Sequence, residues 1–324
     1  MTVPTEAWLH QENYPHDFKQ YLNDTLDEFP NAQIDETTRI FLLDGLADMQ
    51  QRNGDRPYHD VMHPFDVLRK AFRELEETAR IAGFIPTQQD YKVLAIASIF
   101  HDNIMASDEE DISPELQSAE ATYSLMLASG NYSERECERV RNLIWATEAE
   151  YDGKQVLQPM ATVLAQDVCT PSLLYADIGD VLHRDWKYIL VAAAKVAAEE
   201  LYKLKKGQSM LRQGETPLDR VMGIFDKQDT FGKQRFTDYP EILRYHLGEE
   251  AAELIIQAKK DEWARQLIEL TTYVTRLNKV RPALFNACKS IVKNRKNMPF
   301  HRMGAAFFDV ALGKIEQLGS NEDE

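Results

Sequence analysis

Apolar residues recur along most of the chain at the three- and four-residue spacing of amphipathic helices. The first 30 residues resemble an irregular arm with a short helix near Phe18 to Phe29, and a second helix, capped by Asp35, is predicted over 35–51. Further helical patterns lie near 90–102, 115–129, 133–149, 157–168, 171–206, 240–259, 261–280, 282–296 and 302–318. Because alternating, strand-like segments are scarce, the pattern predicts a nearly all-α protein.

Another helix is expected to begin near Pro57, where the missing amide hydrogen has no cost. Its apolar stripe consists of Val61, Phe65, Leu68 and Phe72. His59 and His63 are four residues apart and share a face, which lies opposite this stripe at about 100° per residue. The helix would therefore present both imidazoles to solvent or to a cleft.

Residues 90–102 are apolar nearly all round, which predicts a buried helix with His101 and Asp102 at its C-terminal end. A buried strand is the alternative at this length. Two polar, glycine-containing segments, 205–216 and 226–238, are candidate boundaries. They suggest a domain over residues 1–210 and a helical C-terminal extension over 211–324.

The charge narrows the range of partners. Thirty-seven basic and 53 acidic residues give a net charge of −16, which would repel a nucleic-acid backbone, so no extended nucleic acid is expected. A small phosphorylated substrate would need a local positive centre, which a bound cation could supply. A role in keeping the protein soluble would by itself also explain the net charge of −16.

The three cysteines, Cys137, Cys169 and Cys288, are far apart and have no CxxC spacing. This argues against a disulfide framework or zinc knuckle and for a reducing compartment. There is no charged-then-apolar leader and no apolar run of 18 residues. The expectation is a cytoplasmic protein that does not associate with membranes.

Two histidine segments carry the candidate chemistry: Tyr58-His59-Asp60-Val61-Met62-His63 and Phe100-His101-Asp102. Asp177 follows in Tyr175-Ala176-Asp177. One histidine, a His-Asp pair and a later aspartate can together hold a divalent cation with two nitrogens and two carboxylates. Manganese, cobalt, zinc, iron and magnesium all remain open, as does the choice between one ion and two.

The order of these residues, over roughly residues 40–205, resembles the HD-domain superfamily of metal-dependent phosphohydrolases. The resemblance implies an HD-domain-like helical bundle in which His63, His101, Asp102 and Asp177 bind the metal ion. It leaves the role of the C-terminal helices unassigned.

Two branches of that superfamily are similar in detail. The Tyr58–His63 motif and Ala146-Thr147-Glu148 resemble cyclic-nucleotide phosphodiesterases, which implies that His59 donates a proton to the leaving group. A bacterial group of predicted HD phosphohydrolases is the nearer relative, because Phe100-His101-Asp102 is followed by Pro114-Glu115-Leu116-Gln117-Ser118-Ala119. Asp60 replaces the phosphodiesterases' usual asparagine, and no histidine lies between His101 and His183, so histidine ligands for a second ion are not expected.

Other residues are weaker candidates. Glu115, Glu120 and Glu148 could orient waters or hold a second ion, although surface carboxylates are the simpler interpretation. His183 could reach the site, and Asp167 and Asp180 compete with Asp177 for the role of ligand.

The resemblance implies hydrolysis of a small phosphorylated molecule, with a nucleotide favoured, by metal-activated water with His59 as general acid. Monoester and diester substrates both remain open, and so does homo-oligomerisation. One alternative is a catalytically weak HD-fold binding or regulatory module that uses the C-terminal helices for a partner. Another is an oxygen-using diiron enzyme of the same superfamily. The absence of histidines between His101 and His183 counts against it.

Overall fold

The structure is a computed structural model that describes residues 17–53, 56, 58–59, 62–104, 112–151, 156–177, 185–207, 209–294 and 298–322. Its helices are α1 (Phe18–Asp27), α2 (Glu36–Asn53), α3 (Met62–Ala82), α4 (Gln88–Phe100), α5 (Pro114–Ser129), α6 (Glu134–Ala146), α7 (Thr170–Asp177), α8 (Trp186–Lys206), α9 (Pro217–Leu247), α10 (Glu249–Asn294) and α11 (Phe300–Glu322). A hairpin pairs two-residue strands, β1 (Glu150–Tyr151) and β2 (Val156–Leu157), and a 3-10 turn spans Pro159–Thr162. The all-α prediction is confirmed.

Several helices begin where capping residues predict. Asp35 accepts a hydrogen bond from the Thr38 amide at 2.8 Å at the start of α2. Reciprocal capping boxes open α4, through Thr87 and Asp90, and α6, through Ser133 and Glu136. Because these side chains satisfy amides that the helix itself leaves without partners, the starts of α4 and α6 are fixed locally.

The N-terminal core packs around α4. This helix is buried on every side, and its Val93, Ile96 and Ile99 are fully inaccessible. Side chains from α1, α2, α3, α5, α6 and α7 join the same apolar cluster. A helix that is apolar on all sides is stable only inside such a core. The chain therefore crosses the interior as α4, which ends at its C-cap, His101.

The C-terminal core is formed by α8 to α11, with Leu190, Phe225, Leu277 and Phe307 among its buried members. A smaller cluster joins α9 and α10 to the ends of α3 and α7. Since α8 precedes residue 210 yet packs with the later helices, the apolar clusters do not follow the chain order. The division at residue 210 stays a prediction.

Two predicted helices differ in the first half. The helix expected from Pro57 begins at Met62, which leaves His59 in the preceding bend, while Pro57 and Val61 lie outside the described residues. The helix expected over 157–168 is wrong, because only the 3-10 turn Pro159–Thr162 forms there. This segment bonds to α9 instead: Tyr245 donates to the Leu164 carbonyl at 2.7 Å, and His246 Nε2 lies 2.7 Å from the Ala161 carbonyl.

The expected continuous helix over 171–206 is two helices, α7 and α8, with residues 178–184 outside the described part. The expected boundary at 226–238 lies inside α9. The predicted breaks near 260 and 281 are absent, and α9 and α10 are separated instead at Gly248, whose φ of 84° favours glycine. An unbroken buried stripe along α10, including Leu270, Leu277 and Leu284, keeps this helix continuous past the exposed Pro282.

None of the described helices is both long enough and apolar enough to span a membrane.

Gly45 of α2 provides a test of this packing, because an added Cβ would lie 2.1 Å from Phe100 Cζ. Alanine in a helix interior usually stabilises by about 1 kcal/mol relative to glycine. Here we expect Gly45→Ala to destabilise by about 1–3 kcal/mol, the range for overpacked cores, measured by denaturant unfolding. The control is Gly313→Ala in α11, where the new methyl meets nothing within 4 Å and should be neutral or stabilising. Equal effects of the two substitutions would contradict the packing described.

Candidate metal centre

Four side chains converge at one end of the N-terminal core: His63, His101, Asp102 and Asp177, whose ligand atoms all lie within 4.8 Å of one another. His101 Nε2 is 3.0 Å from Asp102 Oδ2 and 3.2 Å from Asp177 Oδ1. His63 Nε2 is 3.1 Å from the same Asp102 oxygen and 3.3 Å from His101 Nε2. The four side chains predicted from sequence as metal ligands are therefore brought together, and the group could hold a metal ion.

Each of these four side chains lies at or next to the end of a helix. His101 is the C-cap of α4, Asp102 follows it, and Asp177 is the last residue of α7. His63 lies in the first turn of α3 and is only 5% exposed, so it faces the interior and not solvent. The carbonyl ends of α4 and α7 both carry partial negative charge, which favours a cation at this point.

Arg139 of α6 anchors the opposite ends of α4 and α7. Its guanidinium donates to Asp90, in the first turn of α4, at 2.7 Å. It also donates to both carboxylate oxygens of Asp167 at 2.7 and 3.0 Å, and Asp167 accepts from the Cys169 amide just before α7 begins. Arg139 thus links the N-terminal ends of α4 and α7. The C-terminal ends of the same two helices carry His101, Asp102 and Asp177. Asp167, which competed with Asp177 in the sequence, is thereby part of the framework.

Hydrogen bonding fixes the ring of His101. Its Nδ1 lies 2.9 Å from the Ser98 carbonyl oxygen, which can only accept, so Nδ1 carries the proton. Nε2 is then the nitrogen that faces the cluster. A backbone carbonyl holding the far nitrogen of an imidazole is the usual support of a histidine metal ligand.

Opposite charges govern the electrostatics of the cluster. Burial opposes the charged form of His63, but hydrogen bonds to Asp102 and Asp177 outweigh it and raise its pKa to about 9. Burial likewise opposes ionisation of Asp177, yet the neighbouring His101 lowers its pKa to about 2. The carboxylates are therefore ionised at neutral pH, as metal binding requires.

The donor set fits a divalent cation. Tetrahedral ligands about 2.1 Å from zinc lie about 3.4 Å from each other, and the nitrogen–oxygen separations here run from 3.0 to 3.7 Å. Among the described residues, Asp102 Oδ2 is a buried acceptor that receives no well-directed hydrogen bond. A buried carboxylate oxygen in that position is costly unless a cation or donor satisfies it.

His59 stands beside this cluster and outside it. Its Nε2 is 3.7 Å from Asp102 Oδ2, and its ring is 20% exposed, whereas His101 is 1% exposed. His59 Nδ1 lies 2.6 Å from Glu199 Oε1, and the backbone amides of Tyr58 and His59 donate to Glu199 Oε2 at 3.0 and 2.9 Å. One carboxylate of α8 therefore holds both the ring and the backbone of this segment.

Glu199 itself is 1% exposed and also accepts from Arg56 at 3.2 Å. Burial favours the neutral carboxyl, but the charges of His59, Lys203 and Arg56 hold the pKa of Glu199 well below its ordinary value. An ionised carboxylate only accepts, so His59 Nδ1 carries the proton and Nε2 faces the cluster. Sequence reasoning missed Glu199, whose one local signal is an acidic residue inside the apolar, alanine-rich run of α8.

The weaker candidates from the sequence lie in different surroundings. Asp102, Asp177 and Glu148 all influence the titration of Glu115, which places Glu115 near the cluster's charges. Glu148 accepts from the Trp145 indole at 2.9 Å. Glu120 is exposed and pairs with Arg141 at 2.6 Å, which fits the simpler interpretation of a surface carboxylate. His183 and Asp180 lie outside the described residues.

Comparisons of the chain with family models, with curated proteins and with solved structures found no match.

The first test of the centre is metal occupancy. We expect His101→Ala and Asp177→Ala each to lower bound divalent metal by at least about tenfold, because each removes one of four ligands. Elemental analysis after dialysis against a defined metal buffer gives the measurement. The matched control is Glu120→Ala, which removes an exposed carboxylate and should leave occupancy unchanged. Equal occupancy in all variants and the parent would defeat the ligand assignment.

The second test is the pH dependence of binding. Since the pKa of His63 is raised to about 9, a cation has to displace its proton at neutral pH. Affinity should therefore increase as the pH rises towards 9, by about tenfold per pH unit for each proton released. Calorimetric titration with Zn²⁺ in two buffers of different ionisation enthalpy measures both affinity and proton release. An affinity independent of pH between 6 and 8 would contradict this.

Proposed function

We propose that the chain is an HD-type, metal-dependent phosphohydrolase that acts on a small phosphorylated molecule, with nucleotides as the favoured class. The observation that carries the proposal is that the four-residue cluster and the pair of His59 and Glu199 lie side by side. Four ligand atoms meet within 4.8 Å, and a histidine held by a buried carboxylate stands beside them. Hydrolysis of a phosphoester needs both a cation and a proton donor, and these two units would supply them.

A bound divalent cation would neutralise phosphoryl charge and lower the pKa of a coordinated water from about 15.7 towards 7. His63, His101, Asp102 and Asp177 would hold that cation. The carbonyl ends of α4 and α7 and the ionised carboxylates favour positive charge at this point. In the absence of a cation, the two carboxylates offset the two protonated histidines and leave no net positive charge to attract a phosphate, so substrate binding should depend on metal.

His59 is the proposed proton donor to the leaving oxygen. Glu199 fixes its ring with Nδ1 protonated, which leaves Nε2 to hold the transferable proton on the side of the cluster. The 20% exposure of the ring allows a substrate to reach it, whereas His63 and His101 are enclosed.

Glu115 adds a second group with suitable acidity. Burial, together with the negative charges of Asp102 and Asp177, raises its pKa to about 7. A carboxyl that is half protonated near neutral pH can donate a hydrogen bond to a phosphoryl oxygen or exchange a proton with water. Its place in the first turn of α5 is set by the Ser113 cap, which accepts from the Leu116 amide at 3.1 Å.

The proposal is tested with a panel of nucleotide monoesters, cyclic nucleotides and simple diesters, each assayed with Mn²⁺, Co²⁺, Zn²⁺, Fe²⁺ and Mg²⁺. We expect metal-dependent release of phosphate or opening of a diester in at least one combination, abolished by His101→Ala. Full metal occupancy with an inert panel would oppose hydrolysis and favour the alternative of a binding or regulatory module.

The role of His59 is tested with two leaving groups on the reactive phosphoester class. His59→Ala should reduce kcat by about 10²–10⁴-fold for an alcohol leaving group, because general acid catalysis contributes about that much. For a p-nitrophenyl ester, whose leaving group needs no proton, the loss should be small. Glu199→Gln should follow the same pattern with a smaller loss, since Nδ1 keeps an acceptor. Equal losses for both leaving groups, or loss of bound metal in His59→Ala, would contradict proton donation.

A further inference from the structure

Lys259 of α10 is a buried cation far in sequence from the metal ligands. Its side chain is 2% exposed, and its ammonium lies 2.5 Å from Glu74 Oε2 and 3.4 Å from Glu77 Oε2. The ammonium also stands 4.7 Å from the ring centre of Tyr175, a cation–π contact. Burying an ammonium is costly unless it is paired, so this contact set has to form for α10 to pack here.

The partners of Lys259 belong to the two helices that present His63 and Asp177. Glu74 is on α3, eleven residues after His63, which is about three helical turns and therefore on nearly the same face. Tyr175 is on α7, two residues before Asp177. At about 100° per residue, those two side chains leave α7 in nearly opposite directions. Tyr175 points towards α10 while Asp177 points into the cluster.

Further contacts fix Tyr175 on this side. Its ring packs against Tyr239 of α9 at 5.3 Å, and Tyr239 donates a hydrogen bond to Glu74 at 3.0 Å. Gln266 of α10 donates to the Tyr175 hydroxyl at 3.4 Å. Because the Tyr175 ring cannot turn without breaking these contacts, the rotation of the last turn of α7 is set from outside the N-terminal core. That rotation determines where the Asp177 carboxylate lies.

We propose that Lys259 is a positioning residue for the metal centre: it joins α3 to α7 through Glu74 and Tyr175 and so fixes Asp177 relative to His63. This gives the C-terminal helices a role in the site, as a brace that holds His63 Nε2 and Asp177 Oδ1 at their separation of 3.7 Å. The inference rests on metal binding by the four-residue cluster of the proposed function. It does not depend on phosphohydrolase activity.

The test uses Lys259→Met, which keeps the length of the side chain and removes its charge. Co²⁺ is the probe, because its visible bands report coordination geometry as well as affinity. We expect the dissociation constant for Co²⁺ to rise about tenfold, as for other supporting groups of metal sites, and the bands to change. A residue that contributed only to folding would alter the melting temperature and leave both readouts unchanged.

Two further variants keep the test decisive. Tyr273→Phe is the matched control, since Tyr273 is buried in α10 and donates to the Phe225 carbonyl at 2.8 Å inside the C-terminal core. It should lower stability without altering Co²⁺ binding. If Lys259→Met does not fold, Glu74→Gln with Lys259→Met removes the unpaired buried charge. The double variant should fold and still bind Co²⁺ about tenfold more weakly, because the contact of Lys259 that braces the directly packed helices α3 and α7 is gone.

The outcomes separate the two proposals. Dissociation constants within twofold of the parent, with unchanged bands, in every folded Lys259 variant would overturn the positioning role alone. Tight Co²⁺ binding by a parent that hydrolyses no substrate would overturn the proposed function alone. A parent that binds no Co²⁺ would refute both.

Discussion

Mutual repulsion between Asp102 and Asp177 is the constraint on which the site depends. Both carboxylates are directed at one point, and both are ionised because the imidazoles of His63 and His101 lie within 3.7 Å. Two partly buried anions so placed would force the helices apart if no positive charge stood between them. Without a metal ion, the protonated imidazoles of His63 and His101 supply that charge, and a divalent cation that displaced their protons would supply it in their place.

The surrounding helices counter this repulsion, because α3, α4 and α7 are each held at a second point away from the cluster. Arg139 ties the starts of α4 and α7, whose ends carry His101, Asp102 and Asp177. Lys259 ties α7 to α3 from the opposite side. Both are cations held against acidic groups of the framework, so the charges that position the helices are kept apart from those that face the cluster. This separation lets the ligand carboxylates remain available to a cation.

The convergence of these four side chains could be predicted because their signal is local: His101 and Asp102 follow a run too apolar to be anywhere but the core, and His63 and Asp177 occur in short recognisable segments. Glu199 could not be predicted, because it meets His59 across 140 residues and is an ordinary glutamate in sequence. The predicted breaks near 260 and 281 were wrong for a related reason. Pro282 suggests an end to a helix, yet its exposed position in α10 leaves the buried stripe intact, and packing along that stripe outweighs local preference.

The distribution of positive charge near His59 bears on how a phosphorylated substrate could bind. Arg56 and Lys203 both direct their charge at Glu199, with nitrogen–oxygen distances of 3.2 and 3.8 Å. Their effect is to keep Glu199 ionised and His59 oriented, which leaves less of their charge to attract a phosphate. In a chain of net charge −16, attraction of an anionic substrate would then fall mainly to the cation held by the cluster. Substrate binding would accordingly depend on prior metal binding, with His59 already oriented before the substrate arrives.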